Sequence, residues 1–328
     1  MRVNLLKRID LTVRLLLLAV ALASILPATG AARPAAQAIS DGAVFLLFFL
    51  NGLRLPRSEV RRGAGHWRLL VPLIVWCFGV WALAGKGMAV IAEGWLPATI
   101  ALGFLYLGVL PSTVQSATAY SSLAGGNVAS SVVAAAVTNV LGVFISVPLF
   151  VALGGSAGGE FGLSGLGKVV AILIFPFALG QVLQGRLGAW IADHRTLASW
   201  LDRISIAIAV YVAMSGAVEQ GLWTRIGLLE WSVLLVGVCI LLVAAFAASW
   251  GLAGVLRLDR ADRIAFLFSG AHKSVAMGAP LAAALFPPAI AGTILLPLLI
   301  YHLLQLVVSA PVASRLARNP RPVPGAAG

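Results

Sequence analysis

Apolar residues run along this chain in blocks of about 18–25, long enough to cross a hydrocarbon layer as helices. Ten blocks can be placed, near 11–28, 37–54, 69–86, 95–124, 128–153, 165–186, 199–221, 229–256, 262–286 and 289–314. The fourth and ninth break the pattern. In the fourth, "LPSTVQSATAYSS" (110–122) sets a proline and six Ser or Thr hydroxyls where oily residues are expected. In the ninth, "FSGAHKSVAMGAPLAAALFPP" (268–288) does the same with Gly, Pro, His and Lys.

Five blocks lie on either side of residue 160, and the two irregular blocks are the fourth of each set. An odd-numbered repeat inserts its copies in opposite orientations, as inverted-repeat transporters do. The prediction is therefore an all-α integral membrane protein of ten transmembrane helices. They form two inverted five-helix repeats, 11–153 and 165–314, in one polytopic domain over 1–328 with a short tail at 315–328. Helices four and nine are expected to be broken. Pro111 removes a backbone donor and blocks the preceding turn, Gly270 invites unwinding, and Pro280 adds another interruption. Freed backbone groups in hydrocarbon cost several kcal/mol each unless they line a cavity or meet protein partners. Ser112, Thr113, Gln115, Ser116 and Thr118 could supply such partners, so this stretch reads as a binding-site helix. Close helix packing by small residues is the competing reading.

Composition supports lipid as solvent. The chain is 60% hydrophobic and 10% charged, with a mean hydropathy of +1.00, against about 25% charged residues in soluble domains. Of its 23 cations, 18 fall on segments that are cytoplasmic if the N-terminus is cytoplasmic, and four on the opposite side. The net charge of +12 is thus a topology signal with both termini inside, and no nucleic-acid partner is expected. The N-terminal "MRVNLLKRIDLTVRLLLLAVALASILPATGAA" imitates a signal peptide, but the topology closes only if it is kept as the first span. Cys77 and Cys239 lie in separate apolar runs and are expected to be free.

The remaining cation is Lys273. An ammonium in mid-span costs about 2.5–3.5 kcal/mol even on the gentler insertion scale. No Asp or Glu shares its predicted depth; Asp41 and Glu219 fall near outer ends. It suits either a residue that receives an anion or one that bonds backbone carbonyls of the broken helix. His272 is its neighbour but points elsewhere on a helix. His302 and Gln305, one turn apart, either extend a polar cavity or make a hydrogen-bonded helix contact; Asn51 and Asn139 are comparable. "GGSAGG" and "GLSGLG" lack the Lys-Ser/Thr of a phosphate loop. The four histidines show no metal-ligand spacing, and the scattered carboxylates offer no acid–base pair. Neither an enzyme, a metal nor a cofactor is expected, a coupling sodium ion or proton aside.

The segments "FLLFFLNGLRLPRSEV" (45–60), "LPSTVQSATAYSSLAGGNVASSVVAAAVTNVLG" (110–142) and "FSGAHKSVAMGAPLAAALFP" (268–287) resemble the bile acid:sodium symporter superfamily. The resemblance is to its bacterial branch, related to the sodium/bile acid cotransporter 7 group. It implies a multi-pass protein of a bacterial inner membrane, with a panel domain and a core domain whose unwound fourth and ninth helices cross. It also implies a secondary transporter of an organic anion, amphipathic and bile-acid or sterol-conjugate-like, with the bilayer and that small solute as partners. In sodium-coupled relatives a helix-nine carboxylate, a glutamine and an asparagine serve the ion; here those positions read Ser269, Lys273 and Ser274. The matching positions on helices four and five read Ala117, Thr118, Ser131 and Ala135.

A fixed ammonium about 4 Å from a sodium ion opposes it by about 4 kcal/mol at an effective dielectric of about 20, near a thousandfold in affinity. The expectation is that Lys273 replaces one bound sodium, leaving transport proton-coupled, exchange-driven or uncoupled, with the lysine a candidate proton carrier. Ser112, Thr113, Gln115, Ser116 and Thr118 would form one wall of the site with Ser131 behind them, and Ser269, His272, Lys273 and Ser274 would stand opposite. The alternative is a non-transporting membrane regulator of ion homeostasis on the same fold.

Overall fold

A computed structural model describes residues 11–54, 66–155 and 170–318. The cations Arg2, Lys7, Arg8, Arg57, Arg61, Arg62, Lys168 and Arg321, the "GLSGLG" glycines and the tail beyond 318 lie outside the described residues, as do the end of the 45–60 motif and residues 165–169 at the start of the second predicted repeat.

The described residues fold as helices: α1 (Leu11–Ile25), α2 (Ala32–Arg54), α3 (Trp67–Ala92), α4 (Ala98–Val109), α5 (Gln115–Leu123) and α6 (Val128–Ala152). They continue as α7 (Ala171–Asp193), α8 (Arg195–Glu219), α9 (Leu228–Val255), α10 (Arg260–Ala271), α11 (Val275–Leu285) and α12 (Pro288–Arg318). Seven of these, α2, α3, α6, α7, α8, α9 and α12, are long and apolar enough to cross a membrane. The helix α1 and α4 are shorter apolar segments. With 12 residues, α4 is about 18 Å long and cannot cross a layer of about 30 Å alone.

Two interruptions organise the interior. Leu110 turns extended after α4 (φ −79°, ψ 149°), and the chain resumes as helix only at Gln115. His272 does the same after α10 (φ −88°, ψ 142°), and Ser274 starts α11 as its cap, accepting from the Met277 N–H at 3.1 Å. Two expectations are corrected here. Gly270 is not the point of unwinding but lies in the last turn of α10; the break begins two residues later. Pro280 lies inside α11 without ending it, because the chain has already broken at 272–274 and one missing donor within a short membrane helix is tolerated.

Helices α1, α2, α7 and α8 pack with one another, while α3, α4, α6, α9, α10 and α12 surround the interruptions. The two groups meet chiefly where α8 lies on α11 and α12. Both ends of the α2–α8 pair are clamped by charge, Arg33 with Glu219 at one end and Arg54 with Asp202 at the other. Elsewhere Asp259 caps α10 by accepting from the Asp262 N–H. Asn127 caps α6 and donates to the Asp262 carboxylate at 2.8 Å, and the Ser130 hydroxyl adds a bond at 3.0 Å. The turn between α5 and α6 is thereby tied to the start of α10. Both cysteines are free.

At the joint between the two groups, a Cβ on Gly216 of α8 would overlap the carbonyl oxygen of Pro288 at the start of α12. Gly216→Ala should force the helices apart and cost about 1–3 kcal/mol, read as a lower melting temperature. A variant that melts like the parent would show that α8 is not held against α12 at this point.

Candidate functional site

The two breaks meet at the centre of the second helix group, and the second supplies donors to the first. Breaking a helix frees carbonyls at the end of one half. After α4 these are Gly108, Val109, Leu110, Pro111 and Ser112. The Lys273 ammonium donates to Leu110 O at 2.7 Å and Gly108 O at 3.0 Å. Ser146 of α6 meets Val109 O at 2.8 Å, the Ser274 N–H meets Pro111 O at 3.0 Å, and Asn139 of α6 meets Ser112 O at 2.8 Å.

The second break is closed by neutral donors. Both indoles of α3, Trp76 and Trp81, donate to Gly270 O, at 3.0 and 2.9 Å. The Tyr301 hydroxyl of α12 donates to Ala271 O at 2.6 Å. Residues five apart lie about 140° apart around an α-helix, so Trp76 and Trp81 would normally diverge. A π turn at Trp76–Val80 widens the helix between them and lets both reach one carbonyl. Gln305 clasps the backbone of Lys273, accepting from its N–H at 2.8 Å and donating to its C=O at 3.2 Å, with His302 Nδ1 2.8 Å from Gln305 Nε2.

Lys273 itself is 0% exposed. Besides the two α4 carbonyls it donates to Cys77 O at 3.4 Å, and its Nζ stands 4.5 Å from the centroid of the Trp81 ring. Among the described residues no carboxylate pairs with it, and no group of three or more His, Cys, Asp or Glu residues could hold a metal. The ammonium therefore faces carbonyl oxygens and a ring rather than an anion.

His272 points the other way. Its Nδ1 lies 3.0 Å from Ser116 Oγ and 3.3 Å from Thr113 Oγ1, and its Nε2 lies 2.7 Å from Ser309 Oγ of α12. Rings of Tyr120, Phe246 and Phe268 surround it with centroids 5.8–6.2 Å away. The Thr113 and Ser116 hydroxyls bond each other at 2.6 Å. Ser131 and Ser269 approach more loosely, at 3.5 Å, and Ser121 joins Ser131 at 3.3 Å. The Ser112 and Thr118 hydroxyls are buried without a hydrogen-bond partner, and Gln115 is exposed at the start of α5.

Of the residues singled out from the sequence, Thr113, Ser116 and His272 thus form one cluster, Ser131 and Ser269 a second, and Lys273 with Ser274 bonds the first break. Gln115 stands apart on the surface. The donors Trp76, Trp81, Asn139, Ser146, Tyr301 and Ser309 complete the arrangement; Asn139 was visible as a polar residue inside a span, but the others carry no periodic signal.

A family model described as the SBF-like CPA transporter family matches residues 11–318. The chain is 37% identical over 309 residues to the Escherichia coli (strain K12) protein named "Putative symporter YfeH", covering 93% of this chain and 92% of that one. It is 38% identical over 306 residues to an uncharacterized protein of Pseudomonas aeruginosa, with the same coverage of 93% and 92%. Mouse "Sodium/bile acid cotransporter 7" is 23% identical over 290 residues, 83% of this chain and 81% of that protein.

Because two indoles serve the single Gly270 carbonyl, Trp76→Phe and Trp81→Phe should be strongly coupled. Each single variant leaves one donor in place, whereas the double variant orphans the carbonyl. Thermal unfolding of the four proteins should show the double variant losing roughly 1–2 kcal/mol more than the sum of the singles. Additive losses would mean that the carbonyl has another partner.

Proposed function

The chain belongs to the SBF-like CPA transporter family, a family of multi-pass membrane transporters, and on that premise we propose that it moves a small organic anion by secondary transport without sodium coupling. The observation that carries this reading is the closure of both half-helix ends. Coupling ions in broken-helix transporters are held by unwound carbonyls and half-helix C-termini. Here those groups are occupied by the chain's own donors: Lys273 at the end of α4, and Trp76, Trp81 and Tyr301 at the end of α10.

In this reading α4 with α5 is the fourth span and α10 with α11 the ninth. The ten spans form two inverted repeats, 11–153 and 165–314, in a bacterial inner membrane with both termini cytoplasmic. Support comes from the paired breaks, and from the grouping of α1 and α2 with α7 and α8, the corresponding spans of each half. The relatives in Escherichia coli and Pseudomonas aeruginosa support the bacterial setting.

The substrate's negative end would sit at the start of α5, where Gln115 is exposed and no side chain caps the first N–H groups; the positive end of the helix dipole favours an anion there. Ser112, Thr113, Ser116 and Thr118 would line that wall, and His272 would back it through Ser116 and Thr113. The name of the mouse relative supports an amphipathic, bile-acid-like cargo. Lys273 in this scheme serves the ion position, not the anion.

Purified protein melted in sodium, potassium and choline chloride at matched ionic strength tests the sodium claim without knowledge of the cargo, since an ion that binds the native state selectively must stabilise it. Equal melting temperatures are expected. A rise specific to sodium would show a free sodium site and overturn the reading.

A further inference from the structure

The groups around Lys273 Nζ bear on its charge as well as its position. An ammonium carries three N–H donors and no acceptor, whereas a neutral amine has two donors and a lone pair. Three carbonyl oxygens surround this nitrogen, Leu110 at 2.7 Å, Gly108 at 3.0 Å and Cys77 at 3.4 Å, and the fourth neighbour is the face of Trp81 at 4.5 Å. Every one of these presents the negative end of a dipole or quadrupole. An amine there would have to aim its lone pair at an oxygen or at the ring. Two of the carbonyls also end α4, where the helix dipole gathers partial negative charge. The nitrogen thus sits as a small monovalent cation would.

The tyrosines and histidines on the neighbouring elements are turned to other partners. On α4, Tyr106 donates to Gly278 O; on α12, Tyr301 donates to Ala271 O and His302 meets Gln305; at the break itself, His272 meets hydroxyls. On α3, Cys77 contributes its carbonyl to Lys273, and its buried free thiol lies close enough to interact electrostatically with the amine. None offers the ammonium a carboxylate to which it could pass a proton.

We propose that Lys273 is a tethered cation: it stays charged throughout the working pH range, and the carbonyl site it fills accepts a free ammonium or methylammonium ion when the side chain is removed. This deepens the sodium-independent reading and rests on it only for its functional meaning. It also takes Lys273 out of contention as a proton carrier.

Two experiments test it. The chain holds four lysines, Lys7, Lys86, Lys168 and Lys273, so nitrogen NMR of protein with isotope-labelled lysine side chains is tractable, and Lys273→Arg identifies the signal by its loss. The Lys273 signal should keep its ammonium position from about pH 6 to about pH 9. Conversion to an amine within that range would overturn the proposal, and this measurement uses the unaltered protein. The second experiment melts Lys273→Ala in methylammonium, ammonium and choline chloride at equal ionic strength. Methylammonium or ammonium should raise its melting temperature by about 3 °C or more over choline, with no such difference in the parent. A folded variant that responds to none of them would also overturn it. Failure of either test leaves the sodium result of the parent standing, and a sodium-specific rise in the parent leaves the nitrogen signal to be read independently.

Discussion

Hydrocarbon offers no hydrogen-bond donors, so a carbonyl freed inside a membrane helix must be met by the protein or cost several kcal/mol. That constraint governs the centre of this structure. Breaking the chain after α4 and again after α10 frees carbonyls on two elements that meet. The donors come from the opposite break, from α3, from α6 and from α12. Lys273 and Ser274 of one break bond Gly108, Leu110 and Pro111 of the other. Neither break is closed by its own neighbours in sequence: the first depends on the second and on α6, and the second on α3 and α12, so the helices that supply the donors must be in place for either to exist.

The other group of helices is built differently. Helices α2 and α8 run antiparallel with an ion pair at each end, Arg33 with Glu219 and Arg54 with Asp202. The Arg33–Glu219 pair is about one-third exposed, whereas Asp202 is largely buried and its charge depends on Arg54. One group is therefore pinned at its ends and the other through its centre. Contact between them concentrates on α8 against α11 and α12. The hydrogen bonds that close the breaks all lie within the second group.

The helices were legible because their signal is local, and seven of them are long and apolar enough to cross a membrane. Runs of apolar residues and the Pro111 cluster put the helices and the first break near where they lie, although the third and sixth blocks stop short of the helix ends at Ala92 and Asp193. Lys273 stood out by its cost in mid-span. What the pattern could not convey was direction. Adjacent residues leave an extended segment on opposite sides, so Lys273 turns to the α4 carbonyls while His272 turns to hydroxyls. Nor could it show partners nearly two hundred positions away, as Trp76 and Trp81 are from Gly270. The π turn that aligns those indoles has no hydrophobic period to betray it. Gly270 and Pro280 misled for a related reason: both are helix breakers by propensity. One instead lies in the last turn of α10, its carbonyl held by two indoles, and the other is carried inside a helix that had already restarted.

The contrast between the two breaks bears on why a lysine is used at all. At the end of α10 three side chains serve two carbonyls, and each is neutral. At the end of α4 one side chain serves two carbonyls of that end and a third from α3. A hydroxyl or indole has one proton to give and could not replace it; a bound metal ion could, because it coordinates several oxygens at once. A protonated lysine on a tether likewise brings three donors to several oxygens, and the chain itself holds it there. Sealing the end of α4 in this way uses one of the chain's own side chains to tie the two breaks together, and the proposed independence from sodium rests on that arrangement.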